Sequence, residues 1–224
     1  MEALIFDMDG VIIDSELHWK TVEGFFIESL VPSWGSADQG RIIGLSVHDL
    51  YNMLTEEYEL KESKEQFTEQ YHGIAAEIYG QKVQLISGFP ELLSLLQAKG
   101  IKVALASSSP QGWIDIMLDR FALRPAFGAI VSADALHGEG KPSPAIYLHT
   151  AKELGVAPET CVVIEDSKNG VLSAKNAGMY CIGFRNGFNE EQDLSSADTI
   201  IHAFSELTWD RLESLPAPAA PPPQ

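Results

Sequence analysis

Short, mostly apolar runs recur along the chain, and each is closed by a polar or glycine-rich step. The first, Ala3-Leu4-Ile5-Phe6, stops at Asp7-Met8-Asp9-Gly10, and others cover Ile101 to Ala106, Ala129 to Ser132, Cys161 to Ile164 and Tyr180 to Phe184. Continuous apolarity over so few residues predicts strands buried on both faces. Between them lie amphipathic segments of helical period: Pro90 to Lys99, Pro110 to Phe121, Pro144 to Gly155 and Gly170 to Ala177. Alternating strands and helices predict an α/β fold, a Rossmann-like, doubly wound parallel sheet. Ser109-Pro110 and Ser143-Pro144 predict two helix starts, with serine as N-cap and proline at the first helical position.

One stretch breaks the alternation. From Ser15 to about Val83 the pattern is helical throughout, with apolar positions at Leu17, Val22, Phe25, Phe26 and Leu30 and similar spacing at Val47 to Leu54 and Glu65 to Tyr79. This predicts an all-helical domain, residues 15–83, inserted into a core made of residues 1–14 and 84–215. The insert carries five Lys and Arg against twelve Asp and Glu, so it has no basic face. The Pro/Ala tail, residues 216–224, is expected to be a disordered, extended coil.

At 224 residues, 45% of them hydrophobic, the chain is long enough for a sizeable core and for one to two domains. Its formal net charge of −17 repels phosphate backbones and anionic lipid, which argues against nucleic-acid and membrane partners. No apolar run approaches the roughly 18–20 residues of a membrane span, and Met1–Gly10 has no basic stretch with a cleavage site. The expectation is a soluble cytoplasmic protein and a monomer, although no sequence feature marks an interface. Cys161 and Cys181 fit neither a disulfide framework nor a metal spacing, and read as small buried hydrophobes.

Open parallel sheets bind ligands at the carboxyl ends of their strands. The polar residues there are Asp7, Asp9 and Gly10 after the first strand, Ser107, Ser108 and Ser109 after the second, and Glu165, Asp166 and Ser167 after the fourth. Lys141 joins them from the loop Gly138-Glu139-Gly140-Lys141-Pro142. Carboxylates converging at the edge of a dry core repel one another unless a cation intervenes, and an all-oxygen donor set points to Mg2+. Lys141 and the serine loop then supply donors for a tetrahedral anion. One carboxylate can attack phosphorus, and another two residues on can protonate the leaving oxygen.

Each element taken singly has a plainer reading. Asp7-Met8-Asp9-Gly10 could be a turn, Ser109 only a cap, and Lys141 a solvated lysine. The Gly140-Lys141 pair is not a Walker A loop, because Pro142 stands where Ser or Thr is required and Ala135 where the first glycine belongs. No zinc-protease His-Glu-x-x-His and no nucleophile-elbow Gly-x-Ser-x-Gly occurs.

Together these residues resemble the haloacid dehalogenase superfamily of phosphohydrolases, over about Glu2 to Asp14 and Ile86 to Leu215. Asp7-Met8-Asp9-Gly10 resembles its first motif, Ser107 the second, Lys141-Pro142 the third and Glu165 to Gly170 the fourth. The helical insert falls where one large subgroup carries a cap domain, a subgroup that holds the sugar-phosphate phosphatases and β-phosphoglucomutases. The resemblance implies that Asp7 forms an aspartyl-phosphate and that Asp9 serves as acid and then base. It implies Mg2+ on Asp7, the Asp9 carbonyl and Asp166, with Glu165 as a ligand or a partner behind the ligands. Ser107, Lys141 and the Ser108 amide would bind the phosphoryl group, with Ser109 beside them. Asp14-Ser15 would be the hinge to a cap that closes over the site and sets specificity.

The aspartate at position 9 favours phosphate esters over carbon–halogen or phosphonate substrates. A β-phosphoglucomutase resemblance would carry an arginine after Gly-x-Ser in the cap, whereas Gly44-Leu45-Ser46 is followed by Val47, and Trp19 stands where a histidine is expected. Trp19 and Ala106-Ser107-Ser108-Ser109-Pro110 are instead similar to the 2-deoxyglucose-6-phosphate phosphatase group. Trp19 would stack on a sugar ring or pack inside the cap, and Gly44 would lie in the substrate loop. The expectation is a Mg2+-dependent phosphatase of small phosphorylated sugars. A phosphosugar mutase is the alternative, followed by a non-catalytic phosphosugar-binding protein.

Overall fold

A computed structural model describes residues 1–35, 38, 41, 47–136 and 139–216. The chain divides into two compact units, one of Met1–Asp14 with Gln84–Gln224 and the other of Ser15–Val83.

The first unit is built on six parallel strands, β1 (Ala3–Phe6), β2 (Lys102–Ser107), β3 (Ala129–Ser132), β4 (Cys161–Glu165), β5 (Tyr180–Phe184) and β6 (Thr199–Ile201). Their order is β3-β2-β1-β4-β5-β6, the doubly wound arrangement, so the chain switches direction at β1. Among the described residues, five α-helices belong to this unit: α4 (Phe89–Ala98), α5 (Gln111–Arg120), α6 (Ala145–Leu154), α7 (Lys168–Asn176) and α8 (Trp209–Glu213).

β1 is wholly buried because it is paired on both sides, to β2 and to β4. Side-chain alternation sends Ala3 and Ile5 to one face, where they join Ala104, Ala106, Val163 and Tyr147 of α6. Phe6 points to the other face, edge-on to Phe89 at 5.2 Å and to Phe204 at 6.3 Å. Each such pair adds about 0.5–1.5 kcal/mol beyond the area it buries. Ala3 aligns with Cys161 and Phe6 with Ile164, so Asp7 and Glu165 leave the sheet in the same row. Strand parity then places both carboxylates on the Tyr147 face.

Two details depart from the expected helix starts. α5 begins at Gln111, one residue later than predicted, and Ser109 does not cap it; the Gln111 amide donates to Asp134 Oδ2 at 2.8 Å instead. α6 begins at Ala145, whose amide donates to Ser143 Oγ at 3.3 Å, with Pro144 in the flanking position. β6, an edge strand of three residues, is marked by no apolar run in the sequence.

The second unit contains α1 (Ser15–Leu30), α2 (Val47–Tyr58) and α3 (Lys64–Glu77), the last continued by a π-helical turn at Ile78–Lys82. Ser63 and Gln66 form a reciprocal capping box at the start of α3. Ile27, Leu54, Phe67 and Ala75 are fully buried. Trp19 stacks on Tyr71 with ring centres 5.4 Å apart and donates from its indole nitrogen to the Tyr79 hydroxyl at 3.1 Å. Tyr71 in turn donates to Glu23 Oε1. No helix among the described residues is long and apolar enough to cross a membrane.

Candidate active site

The loop after β1 folds back on a single carbonyl: Met8 O accepts the Ile12 amide at 2.8 Å and the Ile13 amide at 3.2 Å. Gly10, at φ +75°, supplies the left-handed turn this needs, and a Cβ there would lie 2.0 Å from Asp166 Oδ2. The chain leaving this loop is tied to the chain that returns at Gln84, whose amide donates to Asp14 Oδ1 at 2.7 Å.

Three carboxylates converge here. Asp7, Glu165 and Asp166 are all buried, and each offers an oxygen within 4.8 Å of the others. Lys141 Nζ donates to Asp7 Oδ1 and to Glu165 Oε1, both at 2.5 Å. Burial pushes the Asp7 carboxyl up to about 8; Lys141 opposes this, while Glu165 and Asp9 reinforce it. Burial would lower the Lys141 pKa, but Asp7 and Glu165 outweigh it and hold the ammonium well above its ordinary range.

Glu165 is saturated with donors. Besides Lys141, its Oε1 takes the Tyr147 hydroxyl at 2.7 Å. Its Oε2 takes the amides of Asp166 at 3.1 Å and Ser167 at 3.2 Å, and the Ser167 hydroxyl at 3.1 Å. Ser167 also caps α7, accepting the Gly170 amide at 3.0 Å. Tyr147 is wholly buried, with the Lys141 ammonium 5.2 Å from its ring centre.

The serine loop after β2 is pinned from both sides. Ser107 Oγ accepts the Ser109 amide at 3.0 Å, and the Ser109 carbonyl accepts the Ser132 hydroxyl at 2.7 Å. So held, Ser109 donates its own hydroxyl to Asp9 Oδ2 at 2.7 Å. Ser107 is buried, Ser109 half-buried and Ser108 exposed.

Asp7, Asp9, Ser107, Ser109, Lys141, Glu165 and Asp166 therefore gather at the carboxyl ends of β1, β2 and β4. Trp19 belongs to the helical unit, in the aromatic stack already described, and Gly44 lies outside the described residues. Three participants escaped the sequence reading: Tyr147, Asn186 and Asn189. Asn186 Nδ2 donates to Asp166 Oδ2 at 3.0 Å and to Gly10 O at 2.8 Å, while Asn189 Nδ2 donates to Asp166 O at 2.6 Å. Polar residues at the end of β5 were the available signal for the two asparagines. Tyr147 read only as one more apolar position of a helix.

The donor set is all oxygen, and three clustered carboxylates face one buried lysine. That imbalance fits a hard divalent cation.

Residues 4–184 match the haloacid dehalogenase-like hydrolase family. The chain is 35% identical over 201 residues to a phosphorylated carbohydrates phosphatase of Thermotoga maritima, covering 89% of this chain and 93% of that one. It is 31% identical over 228 residues to a β-phosphoglucomutase of Bacillus subtilis, covering 95% and 94%. Among solved structures, a haloacid dehalogenase-like protein of unknown function from Agrobacterium tumefaciens superposes with a TM-score of 0.75 at 27% identity, covering 95% of this chain and 98% of that one. The strand-end carboxylates, the lysine between them and these likenesses agree: the chain belongs to the haloacid dehalogenase-like hydrolases.

Proposed function

We propose that this protein is a Mg2+-dependent phosphatase of small phosphorylated sugars, acting as a cytoplasmic monomer through an aspartyl-phosphate on Asp7. The observation that carries the reading is Lys141 Nζ, 2.5 Å from both Asp7 Oδ1 and Glu165 Oε1 in a buried cluster at the strand ends. A lysine held there can neutralise a phosphoryl oxygen beside the attacking carboxylate.

In this reading Asp7 attacks phosphorus and the ester oxygen departs with the proton of the Asp9 carboxyl group. Asp9, now a carboxylate, takes a proton from water as the water's oxygen attacks the aspartyl-phosphate. Inorganic phosphate leaves and Asp7 is restored. Lys141 and Ser107 hold the phosphoryl oxygens, and Ser109 orients Asp9. Asp7, Asp166 and the Asp9 carbonyl would hold Mg2+, with Glu165 fully engaged in fixing Lys141. The bound ion would draw charge from the phosphoryl oxygens and keep the displacement in line. The helical unit, residues 15–83, serves as the cap that selects the sugar.

The test is Mg2+-dependent phosphate release from 2-deoxyglucose 6-phosphate, glucose 6-phosphate, β-glucose 1-phosphate, fructose 1-phosphate, phosphoglycolate and glycerol phosphate, with Asp7→Asn in parallel. Selective release that the variant loses is the expected result. Release that persists in Asp7→Asn rules the mechanism out. A mutase is the second reading, favoured by the β-phosphoglucomutase likeness and opposed by Val47. It requires conversion of β-glucose 1-phosphate to glucose 6-phosphate that depends on a bisphosphate primer.

A further inference from the structure

The loop after β5, residues 185–192, is braced by its own side chains. Arg185 Nη1 donates to the carbonyls of Asn189 at 2.5 Å and Gln192 at 3.1 Å. The Asn186 amide donates to Asn189 Oδ1 at 3.2 Å, and the Phe188 amide to Asn186 Oδ1 at 2.8 Å. Gln192 Oε1 accepts the Lys168 amide at the start of α7.

The braced loop grips Asp166. Asn189 Nδ2 bridges the Asp166 and Phe184 carbonyls at 2.6 and 2.9 Å, which fixes the backbone at the end of β4. Asn186 has two amide hydrogens and uses one on Asp166 Oδ2 and the other on Gly10 O. Packing closes the remaining side: a Cβ on Gly10 would be 2.0 Å from Asp166 Oδ2 and 2.9 Å from Asn186 Nδ2. The chemistry at position 186 is specific. Both groups it meets are acceptors, so an amide satisfies them without adding charge, whereas a carboxylate would repel both.

We propose that Asn186 is a positioning residue for the cation site. It locks the Asp166 carboxylate and ties it to the β1 loop that carries Asp7 and Asp9, so that ligands from two strands are preset before the ion arrives. The proposal rests on the reading of Asp7 and Asp166 as Mg2+ ligands. Partners behind the ligands of a metal site typically govern affinity by 10–100-fold. A role confined to bracing the loop would alter thermal stability and leave cation affinity unchanged.

The experiment is calorimetric titration of Mg2+ into the metal-free protein, without substrate, for wild type, Asn186→Ala and Asp166→Asn. Far-UV circular dichroism and the metal-free Tm establish that each is folded. Asn186→Ala is expected to bind Mg2+ about 10–100-fold more weakly and Asp166→Asn to give no binding heat. A second readout uses wild type alone. The Asn186 side-chain amide pair in a 1H–15N spectrum, assigned by its loss in Asn186→Ala, should shift with Mg2+ along the same binding curve. Asn186→Ala within twofold of wild type, or an amide pair that stays put, overturns the proposal and leaves the phosphatase reading standing. A wild-type protein that binds no Mg2+ overturns both.

Discussion

A Cβ on Gly170 would lie 1.9 Å from the carboxyl carbon of Glu165. Gly170 sits in the first turn of α7, where alanine would be the better helix former by about 1 kcal/mol. The gain cannot be realised, because Glu165 must move and take its hold on Lys141, Tyr147 and Ser167 with it. Breaking a buried ion pair costs about 3–5 kcal/mol, so the clash wins. Gly170→Ala should unfold at lower urea, by roughly 2–4 kcal/mol after the helical gain is set against that cost. A variant as stable as wild type would mean that Glu165 has somewhere else to go.

The second expectation concerns Lys141. Above about pH 8, where the Asp7 carboxyl is ionised, removing its charge leaves Asp7 and Glu165 facing each other with no cation between them. Lys141→Met should lose about 3–5 kcal/mol in the metal-free protein, as well as activity. The loss should be smaller in an Asp7→Asn background, where one of the two charges is already gone. A double-mutant cycle from denaturant titrations measures the coupling, and additive losses would contradict it.

Ser109 tests the acid–base assignment without touching the nucleophile. Its hydroxyl donates to Asp9 Oδ2 at 2.7 Å, and once Asp9 has given up its proton in the first step that bond to a carboxylate is worth about 1.5–3 kcal/mol. If Asp9 needs that orientation only during proton transfer, Ser109→Ala should lower kcat about 10–100-fold and change KM little. Ser109→Thr keeps the hydroxyl and should recover most of the rate. Equal losses in both variants would point to loop packing as the cause.

The sequence was readable wherever one local signal decided the outcome. β1, β3 and β5 are apolar runs cut off by Asp7, by Ala133-Asp134 and by Arg185-Asn186, and their limits can be seen in the residues themselves. β6 could not be seen: it has three residues, begins with Thr199 and leaves Ile200 exposed, so no apolar run marks it. Ser109 misled for a related reason. Ser-Pro is a sound local rule for a helix cap, but Asp9, a hundred positions away, is the hydroxyl's actual partner, and Asp134 takes over the cap. Lys141 was visible as a lysine in a glycine-rich loop, although its two carboxylate partners depend on strand order. Tyr147 and Asn186 act through side-chain bonds that exist only once β4, α6 and the β5 loop are assembled.

The last expectation concerns Glu23 in the helical unit. Burial raises its carboxyl above the ordinary 4.5; the bond from Tyr71 opposes the shift and Glu16 adds to it. A carboxyl with a higher pKa folded than unfolded keeps its proton more tightly in the folded chain. Its contribution to stability is therefore complete below about 4.5 and is lost as pH rises through the raised value. Glutamine at this position cannot ionise, and its amide oxygen can still accept from Tyr71. The Tm of Glu23→Gln minus that of wild type should thus be more positive at pH 8 than at pH 4, with about 2–4 °C for each kcal/mol in a chain of this size. Calorimetric scans of both proteins at the two pH values decide it. A difference that is the same at both would mean that Glu23 is ionised alike in the folded and unfolded chain, and that its bond with Tyr71 is not a buried, pH-dependent contact.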